Sequence, residues 1–238
     1  MRLDKLLANM GFGSRKDVKA LLKKKHVTVN QVVIKDGSKH VDPDKDMIQV
    51  QEEVVQYQQY IYIMLNKPPG YISATEDNRE ETVIDLLGKD LAHFKPFPVG
   101  RLDKDTEGLL LLTNDGELAH QLVSPKKNVE KTYYARIDGM VTEADIDKFH
   151  QGVTLEDGYQ AKTAWLNILQ SDVVSEIEVT ITEGKYHQVK RMFEAVDKQV
   201  IYLRRIRMGE LYLDETLKLG SYRELREDEL AYCLSLKK

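Results

Sequence analysis

The chain has 238 residues, 42% of them hydrophobic and 31% charged, and a formal net charge of −4. That balance suits a folded soluble protein with one large domain, or one large and one small, and apolar runs of only a few residues exclude a membrane-spanning helix. The first residues lack the apolar run and small-residue cleavage site of a secretory leader; the single cysteine, Cys233, excludes an internal disulfide and a cysteine-based metal cluster, so a cytoplasmic location is expected.

The charge is unevenly distributed. Residues 1–40 hold ten lysines and arginines against three aspartates, a net +7, whereas the other residues hold 25 basic and 36 acidic side chains, a net −11. A basic end on an acidic body points to a polyanion gripped mainly at that end. Leu3, Leu6, Leu7 and Met10 recur at helical spacing, and Gly11-Phe12-Gly13 ends that helix. Ser14, with Asp17 three residues on, predicts the N-cap of a second helix. Val18, Leu21 and Leu22 form its apolar stripe, while Lys16, Lys19 and Lys23 fall on another face. Residues 27–29 alternate as a strand, Asn30-Gln31 turns, and residues 32–34 return.

A hairpin on a two-helix unit with a lysine-rich face is the pattern of a small RNA-binding module; a packing or dimerisation domain is the alternative. The runs Arg2-Leu3-Asp4-Lys5-Leu6-Leu7, Gly11-x-x-Ser14-Arg15-Lys16 and His26-Val27-Thr28-Val29-Asn30 resemble the S4 domain, the RNA-binding fold of ribosomal protein S4. That family usually carries Asn-Gly where this chain has Asn30-Gln31. Residues 41–46 read as a turn and 47–50 as a last short strand. The polar stretch 51–59 reads as a connection. The expected division is a module at 1–55, a linker at 56–60 and a larger body at 61–238.

The body opens with a strand at 60–65 that ends in Asn66-Lys67-Pro68-Pro69-Gly70, where two prolines and a glycine fix a turn carrying Lys67. Next, Gly100-Arg101-Leu102-Asp103-Lys104-Asp105-Thr106-Glu107-Gly108 forms a charged loop between two glycines. It runs into the fully apolar Leu109-Leu110-Leu111-Leu112, a pattern expected of a buried strand. Such a strand can hold rigidly a carboxylate at its mouth. Asp103, with Arg101 two residues away, is therefore placed as a carboxylate that stays ionised, as a nucleophile must. A calcium loop starting at Asp103 is excluded: its twelfth position is Asn114 and its second half is apolar.

Residues 117–123 read as a helix and 129–135 as a strand, with Tyr133 and Tyr134 on opposite faces. Another strand at 179–182 leads into Glu183-Gly184-Lys185-Tyr186-His187-Gln188-Val189-Lys190-Arg191-Met192, which turns into a helix. Residues 201–209 form a further strand with three arginines, suited to meeting phosphates. Strands mixed with helices make this an α+β body.

Three of these segments, in this order, resemble the motifs of the RsuA-type ribosomal RNA pseudouridine synthases. They are G-R-L-D-x-x-T-x-G-L-L-L-L-T-N-D-G at 100–116, K-x-Y at 131–133 and E-G-x-x-H-Q-V-[KR]-R-M at 183–192. The resemblance implies an α+β fold, a mixed and mostly antiparallel sheet flanked by helices with a cleft across it. It implies that Asp103 is the essential aspartate, that Tyr133 packs on the uracil and assists proton removal at C5, and that Lys190 holds Asp103 ionised. Arg101, Lys67 and Arg191 become candidates for RNA contact in the body, as Lys16, Lys19 and Lys23 are in the module. His187 is read as structural.

The wording around His187 favours the small-subunit (16S) branch over the large-subunit (23S) one. The implied reaction breaks the N1–C1′ bond of a uridine and joins C5 to C1′, with no redox change, so no cofactor and no metal is expected. The partner is ribosomal RNA, reached after the target base leaves its stack, and the protein is expected to be a monomer. Two rivals are the same chemistry on 23S RNA and a non-catalytic ribosome-assembly factor. A zinc deaminase is excluded, because no H-x-E occurs with C-x-x-C.

Overall fold

The computed structural model describes residues 1–237. The chain divides into two compact units: Met1–Ile61 with Leu87–Pro96, and Tyr62–Leu86 with Phe97 onward. Among the described residues no helix is long and apolar enough to cross a membrane.

In the first unit α1 (Leu3–Asn9) and α2 (Arg15–Lys23) precede β1 (Val27–Val29), β2 (Val32–Val33), β3 (Ile48–Val50) and β4 (Glu53–Val54). Ser14 caps α2: its backbone N–H donates to Asp17 and its hydroxyl accepts from the Asp17 N–H, the reciprocal box that satisfies two orphan donors. Leu3, Leu6, Leu7, Val18 and Leu22 pack with Val27, Val29 and Ile48 in one core. Lys16, Lys19 and Lys23 stay exposed.

The small sheet has the order β2-β1-β3-β4. Its two-residue turns are Asn30-Gln31 and Gln51-Glu52, all four residues at positive φ, the geometry that suits the twist of a tight hairpin. The second turn corrects the reading of 51–59 as a plain connection. Glu53 and Val54 are exposed, so no burial pattern marked them, yet they pair with β3 as an edge strand. Residues 87–96, which the sequence had assigned to the body, group with this first unit. His93 there lies against Gly11, where an added Cβ would fall 3.0 Å from the imidazole Nδ1.

The second unit begins with β5 (Tyr62–Lys67), β6 (Phe97–Pro98), β7 (Glu107–Thr113) and α3 (Gly116–Val123), then β8 (Lys131–Asp138) and α4 (Glu143–Gln151). There follow β9 (Trp165–Gln170), β10 (Val174–Ile181), α5 (Gln188–Glu194), β11 (Gln199–Met208), β12 (Leu211–Tyr212), β13 (Tyr222–Glu224) and α6 (Glu227–Ser235). The main sheet has the order β13-β5-β7-β11-β8-β10-β9. Its pairs are antiparallel except β7 with β11, which run parallel. This is the mixed, mostly antiparallel sheet with helices that the resemblance implied.

Strand β7 lies inside the sheet, and Leu109 to Leu112 are fully buried. A strand covered on both faces must be apolar throughout rather than alternating. Leu109 and Leu111 join Leu118 and Leu122 of α3 and Cys233 of α6 in one core cluster. Phe149 of α4 and Phe193 of α5 form another contact, with ring centroids 4.8 Å apart. Gly108 lets β7 meet β11: its φ is +101°, and a Cβ there would fall 2.2 Å from the carbonyl oxygen of Arg205. No side chain fits such an approach, which explains a glycine between a charged loop and a leucine run.

Candidate active site

The loop before β7 is pinned at three points. The backbone N–H of Leu102 donates to the Ser73 hydroxyl (3.0 Å), which donates back to the Leu102 carbonyl (2.8 Å). Lys67, at the end of β5, donates from Nζ to the carbonyls of Pro68 (3.0 Å), Lys104 (3.2 Å) and Thr106 (2.9 Å). The Thr106 N–H donates to the carbonyl of Asp103 (3.1 Å). Asp103 thus sits on a backbone fixed on both sides, with its side chain 26% exposed.

Lys67 corrects the sequence reading. It was expected on a solvent-facing turn near RNA, but β5 runs through it and its side chain is fully buried. Three carbonyl acceptors match the three donors of an ammonium. Burial pushes its pKa down to about 8 against the pull of Asp105, Asp103 and Glu107. Lys67 is a buried brace beneath the loop and does not face a ligand in solvent.

The cation at Asp103 is Lys190, from α5. Its Nζ lies 3.3 Å from Oδ2 of Asp103 and 2.7 Å from Oδ1 of Asp105. Burial opposes its charge, but the Asp105 and Asp103 carboxylates outweigh that and raise its pKa. Burial likewise works against a charged Asp105, and the Lys190 ammonium holds that carboxyl below its usual range all the same. The structure brings Asp103 and Asp105 to one ammonium. His187 is the second neighbour, with Nε2 3.6 Å from Oδ1 of Asp103. Its φ of +49° at the N-cap of α5 and its stacking on Tyr186 (3.8 Å between centroids) set the ring.

Arg101 takes a different place from the one expected. Among the described residues no ion pair joins it to Asp103; it is exposed and lines the same cavity. Alternate residues of an irregular loop need not point together, so sequence proximity did not make a pair. Arg191 is committed elsewhere: its guanidinium pairs with Asp157 at 2.6 Å, because the residue after Lys190 on a helix turns about 100° away.

Tyr133 is buried on β8 and lines the cavity with Asp103, Arg101, Thr106 and Leu203. Tyr134 faces the other side, half-buried and edge-on to Tyr202 (6.0 Å, 67°). Of the candidate residues, the structure therefore gathers Asp103, Lys190, Tyr133 and Arg101. It removes Lys67 to the interior and leaves Lys16, Lys19 and Lys23 in the other unit.

Sequence reasoning missed the clamp that shapes the Glu183–Gln188 loop. Buried Glu183 accepts from the Lys162 N–H (2.9 Å), the Tyr159 hydroxyl (2.6 Å) and the Gln188 amide, while Gln188 accepts from the Lys185 N–H (2.8 Å). The signal available was Glu183 and Gln188 in one short motif; the other partners of Glu183 lie 21 and 24 residues earlier in the chain. The strand 201–209 also differs from a plain basic face. Arg205 is buried with Nε donating to the Leu109 carbonyl (2.8 Å), and Arg207 pairs with Glu130 (2.6 Å).

A fixed carboxylate beside an ammonium, a buried tyrosine and an exposed arginine at one cavity suit nucleophilic or proton-transfer chemistry. Residues 61–195 match the model of the RNA pseudouridylate synthase family, and residues 1–48 that of the S4 domain. The chain is 53% identical over 231 residues, 97% of either chain, to the uncharacterized RNA pseudouridine synthase YtzG of Bacillus subtilis (strain 168). It is 37% identical over 232 residues to the ribosomal small subunit pseudouridine synthase A of Escherichia coli (strain K12), covering 97% of this chain and 99% of that one. A crystal structure of a pseudouridylate synthase superposes with a TM-score of 0.69 at 34% identity, covering 98% of this chain and 99% of that one.

Proposed function

The chain belongs to the RNA pseudouridylate synthase family, and from that premise we propose that it isomerises one uridine of 16S ribosomal RNA through Asp103, after the base has been extruded. That the chain is a pseudouridine synthase follows from the family; the choice of RNA and the roles of residues are our reading. The observation that carries it is that Asp103 and Tyr133 line one cavity, with the Lys190 ammonium 3.3 Å from the Asp103 carboxylate.

The reaction breaks N1–C1′ and forms C5–C1′; the hydrogen on C5 leaves as a proton and N1 gains one. Atoms and electrons balance without a cofactor. Three routes begin at the carboxylate: attack on C1′, addition to the uracil ring, and removal of the C2′ proton. All three need Asp103 held in place, which the braced loop and the Lys190 contact at 3.3 Å favour. Tyr133 is suited to pack on the ring and assist loss of the C5 proton. Arg101, exposed at the cavity, is suited to occupy the gap left by the base or to meet a phosphate.

The 16S assignment rests on the small-subunit synthases among the relatives. In this reading the S4 unit grips the RNA through Lys16, Lys19 and Lys23, and the protein works as a cytoplasmic monomer. Mapping pseudouridines in 16S and 23S RNA from cells with and without the gene tests it. One 16S pseudouridine should vanish with the gene. Loss of a 23S pseudouridine instead would transfer the activity to the large subunit, and no loss in either would overturn the ribosomal reading.

A further inference from the structure

Beside the Asp103 cavity, and sharing Tyr133 and Arg101 with it, lies a second cavity of about 370 Å³. Two buried cations line it from neighbouring strands: Lys131 of β8, 8% exposed, and Arg205 of β11, 2% exposed. Their partners are neutral. Lys131 donates to the Val129 carbonyl (2.8 Å) and Arg205 Nε to the Leu109 carbonyl (2.8 Å). Among the described residues neither forms an ion pair with a carboxylate, and Nη2 of Arg205 is buried without any hydrogen-bond partner.

Buried charge without a counter-charge is costly. Burial and the Arg205 guanidinium together press the Lys131 ammonium down to about 8. The acid on the wall, Glu183, forms no ion pair with either among the described residues; its oxygens accept from the Tyr159 hydroxyl, the Lys162 N–H and the Gln188 amide. Lys162 and Lys185 add two exposed cations at the rim, the latter over the Tyr159 ring at 4.7 Å. An unpartnered guanidinium nitrogen and two buried cations without an ion pair in one cavity describe an anion site.

We propose that this cavity is a phosphate subsite, in which Lys131 and Arg205 hold a phosphate of the RNA strand beside the extruded uridine. The RNA source rests on the pseudouridine synthase reading; the phosphate chemistry does not. A phosphodiester there would supply the missing counter-charge and anchor the strand one wall from Asp103. Apolar Val99, Val123 and Met208 on the same cavity suit the sugar and base beside it.

The test uses the full chain and inorganic phosphate. Thermal unfolding is followed against phosphate, with sodium chloride at matched ionic strength as control. Wild type should be stabilised by phosphate beyond the control, and Lys131→Met should bind about tenfold more weakly or worse, for loss of one charge-assisted contact. Val123→Glu, which places a carboxylate at the wall from a half-exposed position without removing a buried group, should weaken binding too and serves if Lys131→Met folds poorly. No phosphate-specific stabilisation of wild type, or equal stabilisation of all three proteins, overturns the subsite.

A second arm identifies the source: RNA fragments carry one uncharged methylphosphonate at a time. Wild type should lose affinity at one linkage to which Lys131→Met is indifferent. If both proteins respond alike at every linkage, the RNA assignment falls and a free phosphate is the ligand. If phosphate binds as stated while no uridine is converted, the subsite stands and the enzyme reading fails.

Discussion

Lys190 stands between two aspartates, 3.3 Å from Asp103 and 2.7 Å from Asp105. The carboxylate with the closer contact is the exposed one, its side chain 73% accessible against 26% for Asp103. In our reading Asp105 positions the ammonium and Asp103 does the chemistry. The two should separate under mutation. Asp105→Asn should lower turnover by less than about fivefold, as an exposed pair contributes about 1 kcal/mol or less. Lys190→Met, which leaves Asp103 without its cation, should cost about 10²- to 10³-fold in turnover. Single-turnover rates on a 16S fragment decide this; equal losses for the two variants would contradict the division of labour.

Lys67 should matter to the fold rather than to RNA. Replacing it with Met removes the donor to three carbonyls, that of Thr106 in a buried contact, and frees the loop that carries Asp103. We expect a loss of about 2–4 kcal/mol in urea denaturation, with RNA affinity unchanged in the protein that remains folded. A stable Lys67→Met protein with weakened RNA binding would return Lys67 to the RNA surface.

The buried Lys131 gives a pH signature. Its pKa is about 8 in the folded protein and 10.5 as the ordinary value. Between those values the unfolded chain binds more protons, so this group makes stability rise with pH, and its charge costs the folded state most below pH 8. Relative to wild type, Lys131→Met should therefore look most stable below about pH 8, and the difference should shrink toward about pH 10. Denaturation midpoints in phosphate-free buffer measure it. A difference independent of pH would mean Lys131 keeps an ordinary pKa.

The N-terminal unit should carry the salt dependence of RNA binding. Replacing Lys16, Lys19 and Lys23 together with Ala should raise the dissociation constant and reduce the slope of log K against log salt by up to about two. Turnover at saturating RNA should fall less than affinity. An unchanged slope would mean that the phosphate contacts lie in the body alone.

Much of this was legible in the sequence, for physical reasons. A strand buried on both faces must be apolar throughout, so Leu109 to Leu112 announced the middle of the sheet and the loop before it. Ser14 and Asp17 announced a helix start because the capping box is local. What was not legible is set by partners distant in sequence. Lys67 beside two prolines looks like a turn residue; its three carbonyls belong to residues 68, 104 and 106. Glu53 and Val54 form an edge strand that buries nothing, so composition could not separate it from a linker. Arg101 and Asp103 are neighbours in sequence yet unpaired, while Lys190 reaches Asp103 from 87 positions away.

The most direct test is release of tritium from RNA labelled at C5 of uridine, since forming the C5–C1′ bond expels that hydrogen. Purified wild-type protein should release it from 16S RNA. Asp103→Asn should reduce release by about 10⁴-fold or more while binding the RNA nearly as well. Release by Asp103→Asn at a rate near wild type would contradict the account, because the chemistry would then start from some other group.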